Sequence, residues 1–320
     1  MRSALAVVAL LGGVATAHAD PAATYPNRPI RIMGQGPGST ADYLSRYVGQ
    51  KLTEKWNQPV VVDNRAGAGG TIPTDITAKA APDGYTLVMA HAGPMVSAVS
   101  LYKDLPYDPV KDFAPITRVT TGVVVLVTHT SVPVNSAKEL VAYAKQKGNL
   151  SFGSAGNGSI SHLAGELLNQ VGGIKLMHVP YKSAGFALTA LLSNEVPVSF
   201  LSPITAHAQI KANRVKALAV SSRTRFEGAP DIPSSTEAGI PDFEALLWFG
   251  LFSAAKTPRP IVMKLNQAVS EVLNKPEAKD AITKQGAVVS TGTPEDLGKF
   301  VQTEIKRWTP IIKAAGIKAD

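Results

Sequence analysis

From Pro29 onward, short runs of β-branched residues alternate with longer stretches whose apolar positions recur at helical spacing. A chain written this way buries its apolar faces as helices layered on parallel sheets, so the pattern predicts an α/β fold. Strands are expected at residues 30–33, 59–62 and 85–89, with Leu44, Tyr47, Val48 and Leu52 placing a helix over residues 40–56. A second series opens with a strand at 123–127, a helix over 137–147, a strand at 150–152 and a helix with Ile160, Leu163, Ala164, Leu167, Leu168 and Val171 on one stripe. Strands at 174–178, 196–200 and 217–220 then alternate with helices over 184–192 and 204–212. After a strand at 248–252 the chain turns helical, over 260–273, 276–285 and 294–315, and each helix opens with a proline suited to a first turn.

Two series of similar length with a helical tail predict two α/β lobes, which suits 320 residues at roughly 100–200 per domain. The first lobe is expected over residues 20–124, the second over 125–250, and the tail, 251–320, returns to the first. The chain then crosses between lobes twice, near residues 123–128 and 249–254, as a double crossover.

The N-terminus bears on location. Met1-Arg2-Ser3 precedes an apolar run from Ala4 to Ala17 that ends in Ala17-His18-Ala19, a cationic start, a short apolar core and an A-x-A site. Those are the parts of a secretory signal peptide, residues 1–19, with cleavage after Ala19. No later stretch is long and apolar enough to span a bilayer. The chain has no cysteine, which excludes a lipid anchor on sulfur, a thiolate metal site and a cysteine nucleophile. Its net charge of +8 is spread along the chain without the aromatic interleaving of a nucleic-acid surface.

Three turns between a strand and a helix are rich in glycine and hydroxyls: Gly34 to Thr40, Arg65 to Thr71 and Ser154 to Ser159. In open α/β sheets ligands bind beyond the carboxyl ends of the strands. Free amides and the positive end of a helix dipole make such turns anion sites, and glycine permits close approach. Gly34-x-Gly36-x-x-Ser39 with Asp63 downstream imitates a dinucleotide fingerprint, but Ser39 replaces the third glycine and Pro37 interrupts the turn. A G-x-S-x-G elbow fails at Phe152. Five histidines remain after signal removal, His91, His129, His162, His178 and His207, without metal-ligand spacing, so neither metal nor cofactor is expected.

At these loops the chain resembles the Bug-type extracytoplasmic solute receptors, the TctC-like binding components of tripartite tricarboxylate transporters. The resemblance is carried by YPNRPIRIM, PGSTADYLSR, VVVDNRAGAGG, AAPDGYTL, LPYDPVKDFAPIT, SAGNGSISHLAGELL, HVPYKSAGFALTALL, RVKALAVSS and PSSTEAGIPDFEALLWFGL, in order, over nearly the whole mature chain. It implies a periplasmic-binding-protein-like fold, two α/β lobes closing on a carboxylate held by backbone amides, hydroxyls and waters. Carried over, the first-lobe contacts are Gly38, Ser39, Thr40 and Asp42, then Ala68, Gly69 and Gly70, then His91, Ala92 and Gly93. Those of the second lobe are Ser154, Asn157, Gly158, Ser159, His162 and Tyr181. Asp42 is expected to brace its loop, since its charge repels an anion. Leu201, followed by Ser202, stands where amino-acid-binding members carry an acid facing the ligand, which favours a plain aliphatic or aromatic acid over an amino acid.

The expected protein is a periplasmic monomeric receptor that is no enzyme, binds no nucleic acid and works with membrane transporter subunits. A periplasmic sensor subunit and a secreted enzyme are the alternative classes.

Overall fold

The computed structural model describes residues 21–314 with Gly316 and Ile317, and the expected signal segment and its cleavage point lie outside the described residues. The first βα series gives β1 (Ile30–Gly34), α1 (Thr40–Trp56), β2 (Val60–Asn64), α2 (Thr71–Ala78), β3 (Thr86–His91) and the single turn α3 (Ala98–Leu101). Then follow β4 (Phe113–Val123), β5 (Val125–His129), α4 (Ala137–Lys147), β6 (Ser151–Ser154), α5 (Ile160–Gly172), β7 (Met177–Pro180), α6 (Ala184–Leu192), β8 (Val198–Leu201), α7 (Pro203–Lys211) and β9 (Val215–Val220). The chain closes with β10 (Leu246–Ala254), α8 (Arg259–Leu273), α9 (Pro276–Thr283), β11 (Val288–Val289) and α10 (Pro294–Ala314).

These strands form two sheets, a six-stranded one in the order β11-β4-β10-β3-β1-β2 and a five-stranded one in the order β7-β6-β8-β5-β9. Each sheet is parallel only in part. In the first, β2, β1 and β3 are parallel, while β10 runs antiparallel to β3 and β4 antiparallel to β10. In the second, β7, β6 and β8 are parallel and β5 runs antiparallel to β8 and β9. The expected all-parallel layers are therefore mixed, because strands that arrive from the other sheet enter against the local direction.

The 11-residue β4 is the largest element that sequence pattern missed. Second from the edge of its sheet, it pairs with β10 along its length and with β11 at Thr120 and Thr121, and it is mostly buried, so it lacks the alternation of a half-exposed strand. Its Pro115 lies opposite Phe252, at a shift in register, where a strand tolerates a residue without an N–H.

Only Val124 separates β4 in the first sheet from β5 in the second. The return path lies beside it. Ser221 Oγ accepts from Val124 N at 2.9 Å and donates to Ala245 O at 2.7 Å, while its backbone bonds Val124 O and Ala245 N. One buried serine thus ties both crossings together. α8 and α10 pack on β4, and α8 also on α1.

Replacing Ser221 by alanine strands a buried N–H and a buried C=O at this crossing. Ser221→Ala is expected to cost about 1–3 kcal/mol, read as a lower urea midpoint at an unchanged slope.

Candidate functional site

Four helices begin at one place. α1 follows β1, α5 follows β6, α6 follows β7 and α7 follows β8, each starting at the carboxyl end of a parallel strand. Their first turns border a common cavity of about 40 Å³ between the two sheets. Ser39, Thr40 and Ala41 of α1 meet Ser159, Ile160 and Ser161 of α5 there, with Ala184 of α6 and Ser202 of α7. Each helix start carries roughly half a positive charge, concentrated on its unsatisfied N–H groups.

The remaining walls are Gln35, His91, Ala155 and an apolar floor of Val124, Phe200, Leu247 and Phe249. Among the described residues, no lysine, arginine, aspartate or glutamate lines the cavity. His91 is the one titratable wall residue, and burial pushes its pKa down to about 4, so it is neutral at pH 7. Its Nδ1 accepts from Gly93 N at 3.0 Å, which assigns the proton to Nε2, facing the Gln35 amide. Two N–H donors cannot bond each other, so the Gln35 amide is assigned the orientation in which its oxygen, and not Nε2, faces the ring and accepts.

The loop before α1 is held by Asp42. One carboxylate oxygen accepts from Gly38 N at 3.1 Å, and Arg46 Nε and Asn64 Nδ2 donate to the other at 2.8 and 2.7 Å. Ser39 Oγ in turn accepts from Asp42 N at 3.2 Å, a reciprocal cap. Asp42 therefore braces the loop and stays off the cavity wall.

In the second sheet, Ser159 Oγ caps α5 by accepting from His162 N and donates to Gly156 O at 2.7 Å. His162 lies behind this loop, where its Nδ1 accepts from Gly158 N at 3.1 Å and its ring stacks on His178 at 3.7 Å. Ser154 Oγ bonds His178 Nε2 at 2.6 Å, also behind the loop.

The two halves meet through backbone. A Cβ on Gly69, which sits at φ +61°, would stand 2.6 Å from Asn157 O. A Cβ on Gly185 would stand 2.5 Å from Pro37 O. Thr40 Oγ1 meets Ser202 Oγ and, at 3.1 Å, Thr205 Oγ1, a hydroxyl cluster spanning the cleft.

Of the residues expected from sequence, Ser39, Thr40, His91, Ser159 and Ser202 line the cavity. Gly38, Asp42, Ala68, Gly69, Gly70, Ala92, Gly93, Ser154, Asn157, Gly158 and His162 belong to the loops that shape it without forming its wall. Two further expected residues point away from the wall. Leu201 lies in an apolar cluster with Val125 and Val220, because alternation along β8 turns Phe200 to the cavity instead. Tyr181 directs its hydroxyl to Glu195 Oε1 at 2.7 Å, outside the cavity wall. Sequence reasoning also missed the floor, whose residues look like ordinary strand core, and Ala184, whose helix start carries no glycine run.

Two α/β units joined by adjoining crossings, with a cavity walled by helix starts between them, define a two-lobed solute-binding protein. The chain belongs to the family described as the tripartite tricarboxylate transporter family receptor, whose model matches residues 44–317. BugT of Bordetella pertussis is 34% identical over 314 residues, 97% of this chain and 95% of BugT. An R. palustris protein solved with adipate matches with a TM-score of 0.89 at 30% identity, covering 92% of this chain and 100% of that one. MatC from Rhodopseudomonas palustris, with bound malate, gives 0.85 at 33% identity over 90% of this chain and 100% of its own. Among the described residues, no helix is long and apolar enough to cross a membrane.

The low pKa of His91 has a stability consequence. Above pH 6.5 both folded and unfolded states hold it neutral; between 6.5 and about 4 only the unfolded state gains the proton, so stability falls as pH falls. The loss is on the order of 3 kcal/mol. Urea unfolding at pH 7 and pH 4 is expected to show His91→Gln losing less stability across that interval than the parent, by about that amount.

Proposed function

We propose that this protein captures a small organic carboxylate between its lobes and releases it unchanged to membrane transporter subunits. The observation that carries the reading is the convergence of four helix starts on a cavity to whose walls the described residues bring no ionised side chain. An anion there is stabilised by oriented amides and hydroxyls, while the apolar floor takes its hydrocarbon part. Adipate and malate in the two related structures support the same ligand class. With no carboxylate in the wall, an ammonium group has no counter-ion, which favours a plain acid over an amino acid.

The reading is binding without catalysis. Thr40, Ser202 and Thr205 hydroxyls bond one another, His91 Nε2 is taken by Gln35, and the Ser154–His178 pair lies away from the cavity. We take residues 20–124 with 251–320 as one lobe, together with the first half of β10 from Leu246, which pairs with β4 and β3, and residues 125–245 as the other, hinged beside Val124 and Ser221. In this reading the protein acts in the periplasm as a monomer.

Charge-assisted hydrogen bonds contribute about 1.5–3 kcal/mol each, so a few reach the ~8 kcal/mol of micromolar binding. Calorimetric titration is expected to give micromolar affinity for succinate-like acids and far weaker binding of aspartate-like counterparts, with the acid recovered unaltered by mass spectrometry. Tight binding confined to the amino acids, or recovery of a changed ligand, contradicts the proposal. Gly69→Val, which combines left-handed strain with a clash at Asn157 O, is expected to weaken binding at least tenfold while leaving the far-ultraviolet circular dichroism unchanged. Parent-like affinity in that variant would mean that closure does not run through this contact.

A further inference from the structure

The two sheets carry one design twice. The order β2-β1-β3-β10-β4 in the first is matched in pairing and strand direction by β7-β6-β8-β5-β9 in the second. The turn before α1, GPGSTAD over residues 36–42, is matched by the turn before α5, GNGSISH over residues 156–162. Their hydrogen bonds coincide. Ser39 N donates to Gly36 O and Ser159 N to Gly156 O. Ser39 Oγ accepts from Asp42 N at 3.2 Å, and Ser159 Oγ from His162 N at 3.3 Å. Asp42 Oδ2 accepts from Gly38 N at 3.1 Å, and His162 Nδ1 from Gly158 N at 3.1 Å. One turn further along each helix, Arg46 Nε donates to Asp42 and Glu166 Oε1 stands 3.8 Å from His162 Nε2. His162 therefore occupies in the second lobe the place that Asp42 occupies in the first.

Each acceptor holds a glycine that meets the opposite lobe. Gly38 and Gly158 share a left-handed φ, +74° and +73°; a Cβ on the first would stand 3.9 Å from Gly185 Cα, and one on the second would run into Leu101 of α3. The next residues, Ser39 and Ser159, line the cavity. A carboxylate and an imidazole both accept an N–H, but only the imidazole changes charge between about pH 5 and 8. Nδ1 accepts while its proton is absent, and a proton there sets donor against donor. The strands packed on α5 are β6, β7 and β8, and the titratable residue they bring is His178. Its ring stacks on the buried His162 at 3.7 Å and its Nε2 bonds Ser154 Oγ at 2.6 Å, with Phe152 against both rings. α3, which Gly158 meets, brings no titratable group. On α5 itself the facing charge is Glu166, which offsets an imidazolium at His162 and keeps its field from the cavity.

Resting on the carboxylate reading of the cleft, we propose that His162 is the positioning residue of the second-lobe loop, as Asp42 is of the first, and that its protonation loosens this loop and weakens capture of the carboxylate. The first-lobe loop keeps its acceptor through the same change. Acid therefore disarms one half of the cleft and leaves the other intact. Ligand and proton oppose each other, so a bound acid makes His162 harder to protonate by the factor that protonation weakens the acid. His91 takes no part, because its pKa of about 4 keeps it neutral throughout.

The test is calorimetric affinity at about pH 8 and about pH 5.5 for the parent, His162→Asn and His162→Leu, with the tightest binder among succinate, malate and adipate. Asparagine sets an oxygen where Nδ1 stands and does not titrate, while leucine offers no acceptor. The ionisation of the acid itself is common to all three proteins and cancels in the comparison. Over that interval the parent is expected to lose about tenfold more affinity than His162→Asn, the scale of one hydrogen bond. His162→Leu should bind weakly at both values, and asparagine should restore binding relative to leucine. In the ligand-free parent, the Gly158 amide resonance should shift with the titration of the His162 ring protons while that of Gly38 stays level. Equal pH dependence in parent and His162→Asn, or a Gly158 resonance that ignores the titration, overturns the role of His162 and leaves the carboxylate cleft in place. A parent that binds none of the three acids overturns the cleft reading and the control of capture with it, and the Gly158 resonance then decides the loop alone.

Discussion

Holding an anion out of water without a cationic side chain is the constraint on which this structure turns. A lone carboxylate in a low-dielectric site is too costly unless donors already point at it. Helix starts supply such donors, and each is held by the strand that precedes it. The α/β topology sets them along one edge of each sheet, and the crossings bring the two edges face to face. The net charge of +8 acts at longer range, drawing anions toward a cleft that carries none of that charge in its own walls.

Donors from two bodies serve one ligand only if the bodies come close, and this explains where the glycines are. Gly69 against Asn157, Gly185 against Pro37 and Gly36 against Ser183 are places where a side chain would hold the lobes apart. The hydroxyls of Thr40, Ser202 and Thr205 join the lobes without introducing charge. At the other side of the cleft, Ser221 gives the two crossings a shared set of hydrogen bonds. The two sheets' units therefore meet through short backbone contacts at Gly36, Gly69 and Gly185 and through the hydrogen bonds of Ser221 at the crossings.

The frame was legible in the sequence because it is written in local periodicity. Helices α1, α4 and α6 fall on the residues their apolar stripes indicated, and the glycine-rich turns before α1 and α5 do sit at the cavity. What was not legible is set by non-local pairing. β4 is defined by its partners β10 and β11 rather than by alternation, so the pattern predicted no strand there. The side of β8 that meets the cavity depends on register with β5, a single-residue matter that put Phe200 where Leu201 was expected. Ser183 and Ala184 lie within HVPYKSAGFALTALL, but nothing in that stretch marks them as neighbours of the cavity, and the packing of α6 on the first lobe reveals their place.

The most direct test is a high-resolution structure of the protein with a bound carboxylate. The account requires carboxylate oxygens at about 2.7–3.1 Å from first-turn amides of α1 and α5, with no lysine or arginine nitrogen in contact with them. A carboxylate clamped instead by an arginine or lysine side chain would contradict it.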